Sequence, residues 1–452
     1  MEKIKQFLEK CDQPLTEEQL KRIIYNVFCI FIFLSPIIPD QLGFGIYSLK
    51  YTVFNITVIM TSFLLFIINR KDLKINVYDI ILVIYFLFVV LSTIFTQYNI
   101  GKCILGTNGR GEGLITIFSY IATFIICSKG YKYIIKNYKI AMVGALIICI
   151  YSIIQANAPL EIDLPFGNTD VLGVAEATMG NQNFLASYIC IFLPMICYYF
   201  LNTKENKSLI LIALMFITLV FTKTLNGYTV FTIMYILIAI FSLYYGKDKE
   251  EILLKFLVMT LLFVLLFMSI TFVKGDMYWE ELRGVGRETV NLLNGEEEFA
   301  TGRLRIWRRV LMAIDNNKFF GVGPDSLKLE FLKKEYHILG DKDVLSSIYV
   351  DKAHCEYLHI AVTTGIPSLI LYMIFVLMIC VRLWKITFRV NKEETNRADK
   401  MFITLTLIGI LSYLSQAIGN ISVIQVAPVF WTILGLGAGI VLHEKTDRKN
   451  RN

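Results

Sequence analysis

Residues 252–273 read ILLKFLVMTLLFVLLFMSITFV, a run whose only charge, Lys255, lies near its start. A helix needs about 20 apolar residues to cross the hydrocarbon core of a bilayer. In water such a run would need covering on every side. In lipid a helix satisfies its own backbone and needs no cover. Eleven more apolar runs follow the same pattern, at 23–39, 51–68, 77–97, 112–128, 138–156, 183–201, 208–222, 228–245, 354–381, 401–419 and 425–442. Of the 452 residues 56% are hydrophobic and 18% charged, and the mean hydropathy is +0.59. The expected fold class is all-α: a polytopic membrane protein of about twelve transmembrane helices.

The charges predict an orientation. With the N-terminus assigned to the cytoplasm, the inner segments hold 27 Lys and Arg, and the short outer loops hold only Lys50, Lys102, Arg110 and Lys223. That bias predicts an N-in, C-in chain in the cytoplasmic membrane. The net charge of +7 is therefore a topology signal, and no nucleic-acid partner is expected. Residues 1–22 carry too many charges for a cleaved signal peptide and read as a cytoplasmic N-terminal segment. Spans one to nine then cover 23–273, spans ten to twelve cover 354–442, and 443–452 form a cytoplasmic tail. Between them, 274–353 carries thirteen basic residues on the outer side, as long loops do irrespective of the charge rule. It is too long for a simple connection and is expected to fold as a helical extracytoplasmic loop between spans nine and ten. The outer loop at 157–182 holds Glu161, Asp163, Asp170 and Glu176 and no Lys or Arg.

The nine cysteines include no CxxC and no Cys/His set at zinc spacing, so neither a metal centre nor another cofactor is expected. Cys103 and Cys355 stand near outer loops, but nothing in their spacing requires a disulfide.

Chemistry concentrates at the outer ends of the spans. In GTNGRGEGL, Arg110 lies between two glycines and precedes Glu112. Glycines admit close backbone approach and a guanidinium suits phosphate oxygens, although the same spacing fits a turn with a solvated arginine. The stretch TGRLRIWRRVLMAIDNN, 301–317, reads as an amphipathic helix with Thr301 as its N-cap. At about 100° per residue, Arg303 points with Ile306, Trp307, Val310 and Ile314, and more loosely with Leu304 and Leu311. Arg305, Arg308 and Arg309 fall on the opposite, solvated face. An arginine on an apolar face needs an anion or must snorkel to water.

In KAHCEYLHIAVTTG, His354 stands where span ten is expected to begin. A helix N-terminus disfavours an imidazolium, and a neutral imidazole is what a general base requires near neutral pH. A helix-capping or interfacial histidine fits the position too. Lys223, in FTKTLNGYT, adds a cation at the outer end of span seven, where a snorkelling lysine is also expected.

Four ordered stretches carry a family resemblance: GRGEGLITIFSY, MGNQNFLASYICIFLP, TGRLRIW with FFGVGPDSL, and AHCEYLHIAVTTGIPSL. With the long loop before the last three spans, the chain resembles the O-antigen ligase and polymerase superfamily of bacterial membrane glycosyltransferases. Two departures stand out. Cys355 replaces the asparagine usual after the histidine, and Leu225, Asn226 and Gly227 stand where Ser-Arg-Gly is common.

The resemblance implies metal-independent transfer of a glycan from an undecaprenyl-diphosphate carrier to a glycan, lipid or protein hydroxyl at the outer face. Membrane lipids then surround the site. His354 would be the general base, and Arg110 and Arg303 would bind the diphosphate, with Lys223 as a further cation in place of the family arginine. Glu112, Arg305, Trp307, Cys355 and Glu356 would support them. A repeat-unit polymerase shares the same motifs. A transporter of an anion or lipid-linked glycan would spread its charges through the membrane depth, whereas the middles of these spans hold almost none.

Overall fold

In the computed structural model, the described residues are 15–449 apart from 40–42, 45–46, 70–73, 108, 135–137, 159–172, 276–277, 281–282, 285, 288–289, 291–302, 334–349 and 393–396. Thr301, Glu161, Asp163 and Asp170 lie outside this set.

The protein is a polytopic membrane protein of the all-α class, with one two-residue antiparallel hairpin, Gly43–Phe44 against Tyr47–Ser48, beside its helices. Its helices are α1 (Glu17–Leu34), α2 (Leu49–Asn69), α3 (Val77–Ile94), α4 (Ile100–Leu105), α5 (Leu114–Lys129), α6 (Tyr131–Ile134), α7 (Tyr138–Asn157), α8 (Gln182–Asn202) and α9 (Ser208–Phe221). They continue as α10 (Leu225–Tyr245), α11 (Lys249–Lys274), α12 (Arg303–Asn316), α13 (Leu327–Lys333), α14 (Glu356–Thr364), α15 (Ile366–Lys392), α16 (Arg397–Gln416) and α17 (Ala427–Lys449). Each of the twelve apolar runs coincides with one or two of these. Among the described residues nine helices are long and apolar enough to cross a membrane. Two more, α5 and α9, are apolar but shorter. The twelfth, α16, starts on the charged RADK.

Local sequence sets several boundaries. Thr16 caps α1 and Asn76 caps α3, each in a reciprocal box with the residue three positions on. Asn181, from the MGNQNF stretch, caps α8 through its side-chain oxygen, which accepts from the Asn183 N–H at 2.8 Å. The bundle centres on α8 and α17, in each of which 83% of the most apolar window is buried, against 17% in the peripheral α11. α8 packs on α9, α10 and α16, whereas α17 packs on α5, α15 and α16. The exposed faces of the outer helices, such as Leu254, Leu257 and Leu261 on α11, are apolar, as a lipid-facing surface must be.

The long segment between α11 and α14 forms a second, smaller core. Val310, Ala313 and Ile314 of α12 meet Leu327 of α13, Ala353, and Ala361 and Val362 of α14. The α12 wheel holds in part. Val310 and Ile314 are buried and Arg308 is exposed, as expected, but Arg305 and Arg309 are only partly exposed and Leu311 is 52% exposed. The buried stripe is narrow because α12 packs mainly on one short helix.

The apolar run expected as one span at 354–381 is two helices, α14 and α15, parted at Gly365. Breaking a helix frees backbone carbonyls that must find donors. Here the Val322 and Gly323 N–H groups donate to the Val362 and Thr363 carbonyls, each at 2.9 Å, and the Ser92 hydroxyl donates to Thr363 as well. The Ile366 N–H in turn donates to the Lys318 carbonyl at 2.8 Å. The FFGVGP turn is thus built into the break. Gly365 has a φ of +93°, and a Cβ there would lie 2.0 Å from the Phe319 oxygen. Gly365→Ala is therefore expected to destabilise the protein by about 3 kcal/mol. Thermal unfolding in detergent checks this, and an unchanged midpoint would contradict the built-in break.

Candidate active site

Three loops meet at one end of the bundle, and a buried ion pair joins them. Asp325, in the turn after FFGVG, accepts from the Lys352 ammonium at 2.7 Å, with side chains 2% and 0% exposed. Its other oxygen accepts from the Thr107 backbone at 2.6 Å, the Thr107 hydroxyl at 2.8 Å and the Glu112 backbone at 3.4 Å. The GTNGRGEG loop, the GPD turn and residues 350–355 are thereby fixed together. The glycines of the first loop serve this closure: a Cβ on Gly106 would lie 2.4 Å from the Gly111 carbonyl carbon, and one on Gly111 would strike the Tyr51 ring. Two of the four non-glycine residues with positive φ among the described residues stand here: Asp325 and His354. His354 has a φ of +49°. Such conformations are sparsely populated and collect at functional sites.

The chain alternates through 351–354. Asp351 accepts from Arg110 Nε at 2.7 Å. Lys352 turns inward to Asp325 and lies 3.4 Å from His359 Nε2. The Ala353 carbonyl accepts from Trp307 Nε1 at 3.0 Å, which ties α12 to the chain just ahead of the histidine. His354 follows. Burial, then the charge of Arg303, lower its pKa below the usual imidazole range; Asp351 opposes them, and Arg110 and Lys352 add to the lowering. Burial works to raise the Asp351 carboxyl, but Arg110 by charge and hydrogen bond, then Lys352 and His354, hold it below the ordinary aspartate range.

The structure therefore brings Arg110, Arg303 and His354 into one electrostatic group. Arg110 also lies over the Phe184 ring, 5.8 Å from its centre. Arg303 approaches the end of α16: a Cβ on Gly419 would lie 3.1 Å from Arg303 Nη1 and 2.7 Å from Asn226 Oδ1. Of the Leu225, Asn226 and Gly227 stretch, it is Asn226 that reaches Arg303's surroundings. Lys223 sits instead over the Tyr278 ring, at 4.9 Å, beside Gly173.

Beneath this group lie two buried carboxylates. Glu112 accepts from the Tyr120 hydroxyl at 2.9 Å. Glu356 accepts from Tyr372 and Tyr413, each at 2.9 Å, and its N–H donates to the Ala417 carbonyl. Cys355 occupies the N-cap of α14 without a capping hydrogen bond. An asparagine there would cap through a strong oxygen acceptor; the thiol, a weak acceptor, lies by the Tyr357 and Leu358 N–H groups instead. Cys103 and Cys355 are free thiols. Arg305 lies on the partly exposed side of α12. Two apolar grooves, of about 300 and 510 Å³, lie beside Lys139 and Glu205 and beside Lys21, Lys74 and Lys129. Arg110, Arg303 and His354 line neither.

Residues 210–373 match the family model described as O-antigen ligase. This segment is similar to the O-antigen ligase domain. The domain covers a little over a third of the chain and includes Lys223, Arg303, Asp325 and His354, whereas Arg110 and Glu112 lie ahead of it. A comparison with curated proteins finds no match.

Sequence reasoning missed Asp325, Asp351, Lys352 and His359. The GPDS turn was a usable signal, because an aspartate after Gly-x-Gly-Pro accepts readily from neighbouring backbone. Asp351 and Lys352 carried none, since a DK pair in a polar loop is ordinary. Removing one partner of a buried pair strands the other charge. Lys352→Met is expected to destabilise by about 3–5 kcal/mol, and adding Asp325→Asn should recover part of the loss. A double-mutant cycle by thermal or denaturant unfolding checks the coupling. Additive losses would show that the two do not act as a pair.

Proposed function

We propose that this protein transfers a glycan from an undecaprenyl-diphosphate carrier to an acceptor hydroxyl at the outer face of the bacterial cytoplasmic membrane, as a ligase. The observation that carries this reading is the convergence of Arg110, Arg303 and His354 from three distant stretches, joined to the O-antigen ligase domain. The N-in, C-in orientation expected from the lysines and arginines supports an outer-face site.

In this reading His354 accepts the proton of the acceptor hydroxyl through a ring nitrogen. The acceptor oxygen attacks the anomeric carbon, and the bond from that carbon to the diphosphate oxygen breaks. The electron pair leaves with the lipid diphosphate. Charge grows on that leaving group, and fixed cations stabilise such charge best where water is scarce. Arg110 and Arg303 supply them. Asp351 engages Arg110 through Nε, and in this reading the Nη edge of the guanidinium takes the diphosphate. Lys223, which lies over the Tyr278 ring, is not part of this clamp. Glu112, Cys355, Glu356 and Trp307 hold the backbone around the three charged residues, and the spans hold the polyprenyl tail within the surrounding lipid.

Reconstituted protein with a lipid-diphosphate glycan and an acceptor, in chelator, tests the assignment. His354→Ala should lower transfer by about 10²–10⁴-fold; near wild-type transfer would remove the base. Arg303→Lys should cost more than Arg305→Ala, because only a guanidinium fork holds two phosphate oxygens at once. Equal effects would refute the helix-face argument. A single purified donor should yield one product length, and a growing ladder would mark a polymerase.

The active base is the unprotonated imidazole, present above the His354 pKa. Because that pKa is lowered, kcat/KM should hold as the pH falls through about 6.5 and decline only below it. A pH–rate profile with its acidic limb above that value would contradict the assignment.

A further inference from the structure

Asp351 and Lys352 are neighbours with different fates. The Asp325–Lys352 pair is sealed, whereas Arg110 and Asp351 are each 29% exposed and remain within reach of a ligand. The GTNGRGEG loop does not need Asp351 for its shape. Its turn is closed by the Arg110 and Gly111 N–H groups, which donate to the Thr107 carbonyl at 3.1 and 3.0 Å, and it is tied to Asp325 through Thr107. A structural ion pair at this place would be redundant.

The groups that act with His354 come from several elements. Arg303 belongs to α12, Arg110 to the glycine loop, Lys352 to its own strand of chain, and His359 to α14. Three of these groups are cations, and all disfavour an imidazolium. Asp351 is the anion that opposes them. Yet a base that takes a proton must become an imidazolium during the reaction.

We infer that Asp351 is a positioning residue of this site, holding Arg110 through Nε and supplying the negative charge against which the His354 imidazolium forms. The second half of this inference rests on the proposed glycosyl transfer. The Arg110–Asp351 contact does not. The carboxylate forms no bond to substrate. It fixes the direction of the guanidinium and offsets Arg303, Arg110 and Lys352 at the moment the acceptor proton reaches the imidazole. The bound diphosphate then adds its own negative charge to the same cations, so loading the donor strengthens the base that will use it.

Asp351→Asn and Asp351→Glu test this in full-length protein in nanodiscs. With the asparagine, the opposing anion is gone and the His354 pKa falls further. The acidic limb of kcat/KM should move to lower pH while the plateau drops by about ten- to a hundredfold, since a weaker base transfers protons more slowly. Asp351→Glu should return the limb to its wild-type position and recover part of the rate. A merely structural role would lower the plateau and leave the limb in place, and that outcome overturns the inference.

Because the chain has four histidines, ¹³C-histidine labelling with His354→Gln as the assignment control reads the same titration directly. A titration of His354 that is unchanged in Asp351→Asn overturns the inference; one moved to lower pH supports it. If the wild type transfers nothing from the lipid-diphosphate donor, the glycosyl-transfer reading fails, and the titration still decides the place of Asp351.

Discussion

The buried pair of Asp325 and Lys352 is the interaction on which the candidate site depends. Taking two charges out of water costs several kcal/mol per ion, and only good geometry with further hydrogen bonds offsets it. Both conditions are met: the ammonium lies 2.7 Å from one carboxylate oxygen, while Thr107 donates twice to the other. What such a pair contributes is a fixed arrangement more than net stability. It brings together residues more than two hundred positions apart and sets the direction of the chain from Asp351 to His354.

The second constraint is the break at Gly365. A continuous helix from 354 to 392 would carry the histidine straight out along one axis. Parting it at Gly365 makes α14 a separate short helix that can be held from below. Tyr372 and Tyr413 grip Glu356, and the FFGVGP turn completes the freed carbonyls. Fixed at both ends, the chain can keep His354 in a left-handed conformation that a free loop would relax. The same turn carries Asp325, so the break and the buried pair reinforce each other.

Electrostatics follows from these two constraints. Arg303, Arg110 and Lys352 act by charge on one imidazole, and Asp351, paired with Arg110, acts against them. In the proposed reading a lipid diphosphate occupies this place. Arg303 reaches it because Trp307 anchors α12 to Ala353, and because Gly419, lacking a side chain, leaves room beside Asn226. Lys223, grouped with Tyr278 and Gly173, shows how a charge that looked equivalent along the chain is taken up by other contacts.

The amino-acid sequence by itself determined the membrane-spanning helical class, because lipid admits few backbone structures and long apolar runs declare them. It also singled out Arg110, Arg303 and His354, since a charge beside an apolar run demands a reason. The period of α12 was readable too, apart from Arg305, Arg309 and Leu311, whose exposure depends on how wide a neighbour covers the helix. Tertiary structure alone decided the rest. The break at Gly365 is invisible in hydropathy, because the residues on both sides are equally apolar and it is the backbone turn and the approach of Phe319 that forbid a Cβ. The roles of Asp325, Asp351 and Lys352 were equally hidden: a charged residue in a polar loop looks solvated until folding removes the water around it and leaves one partner within reach.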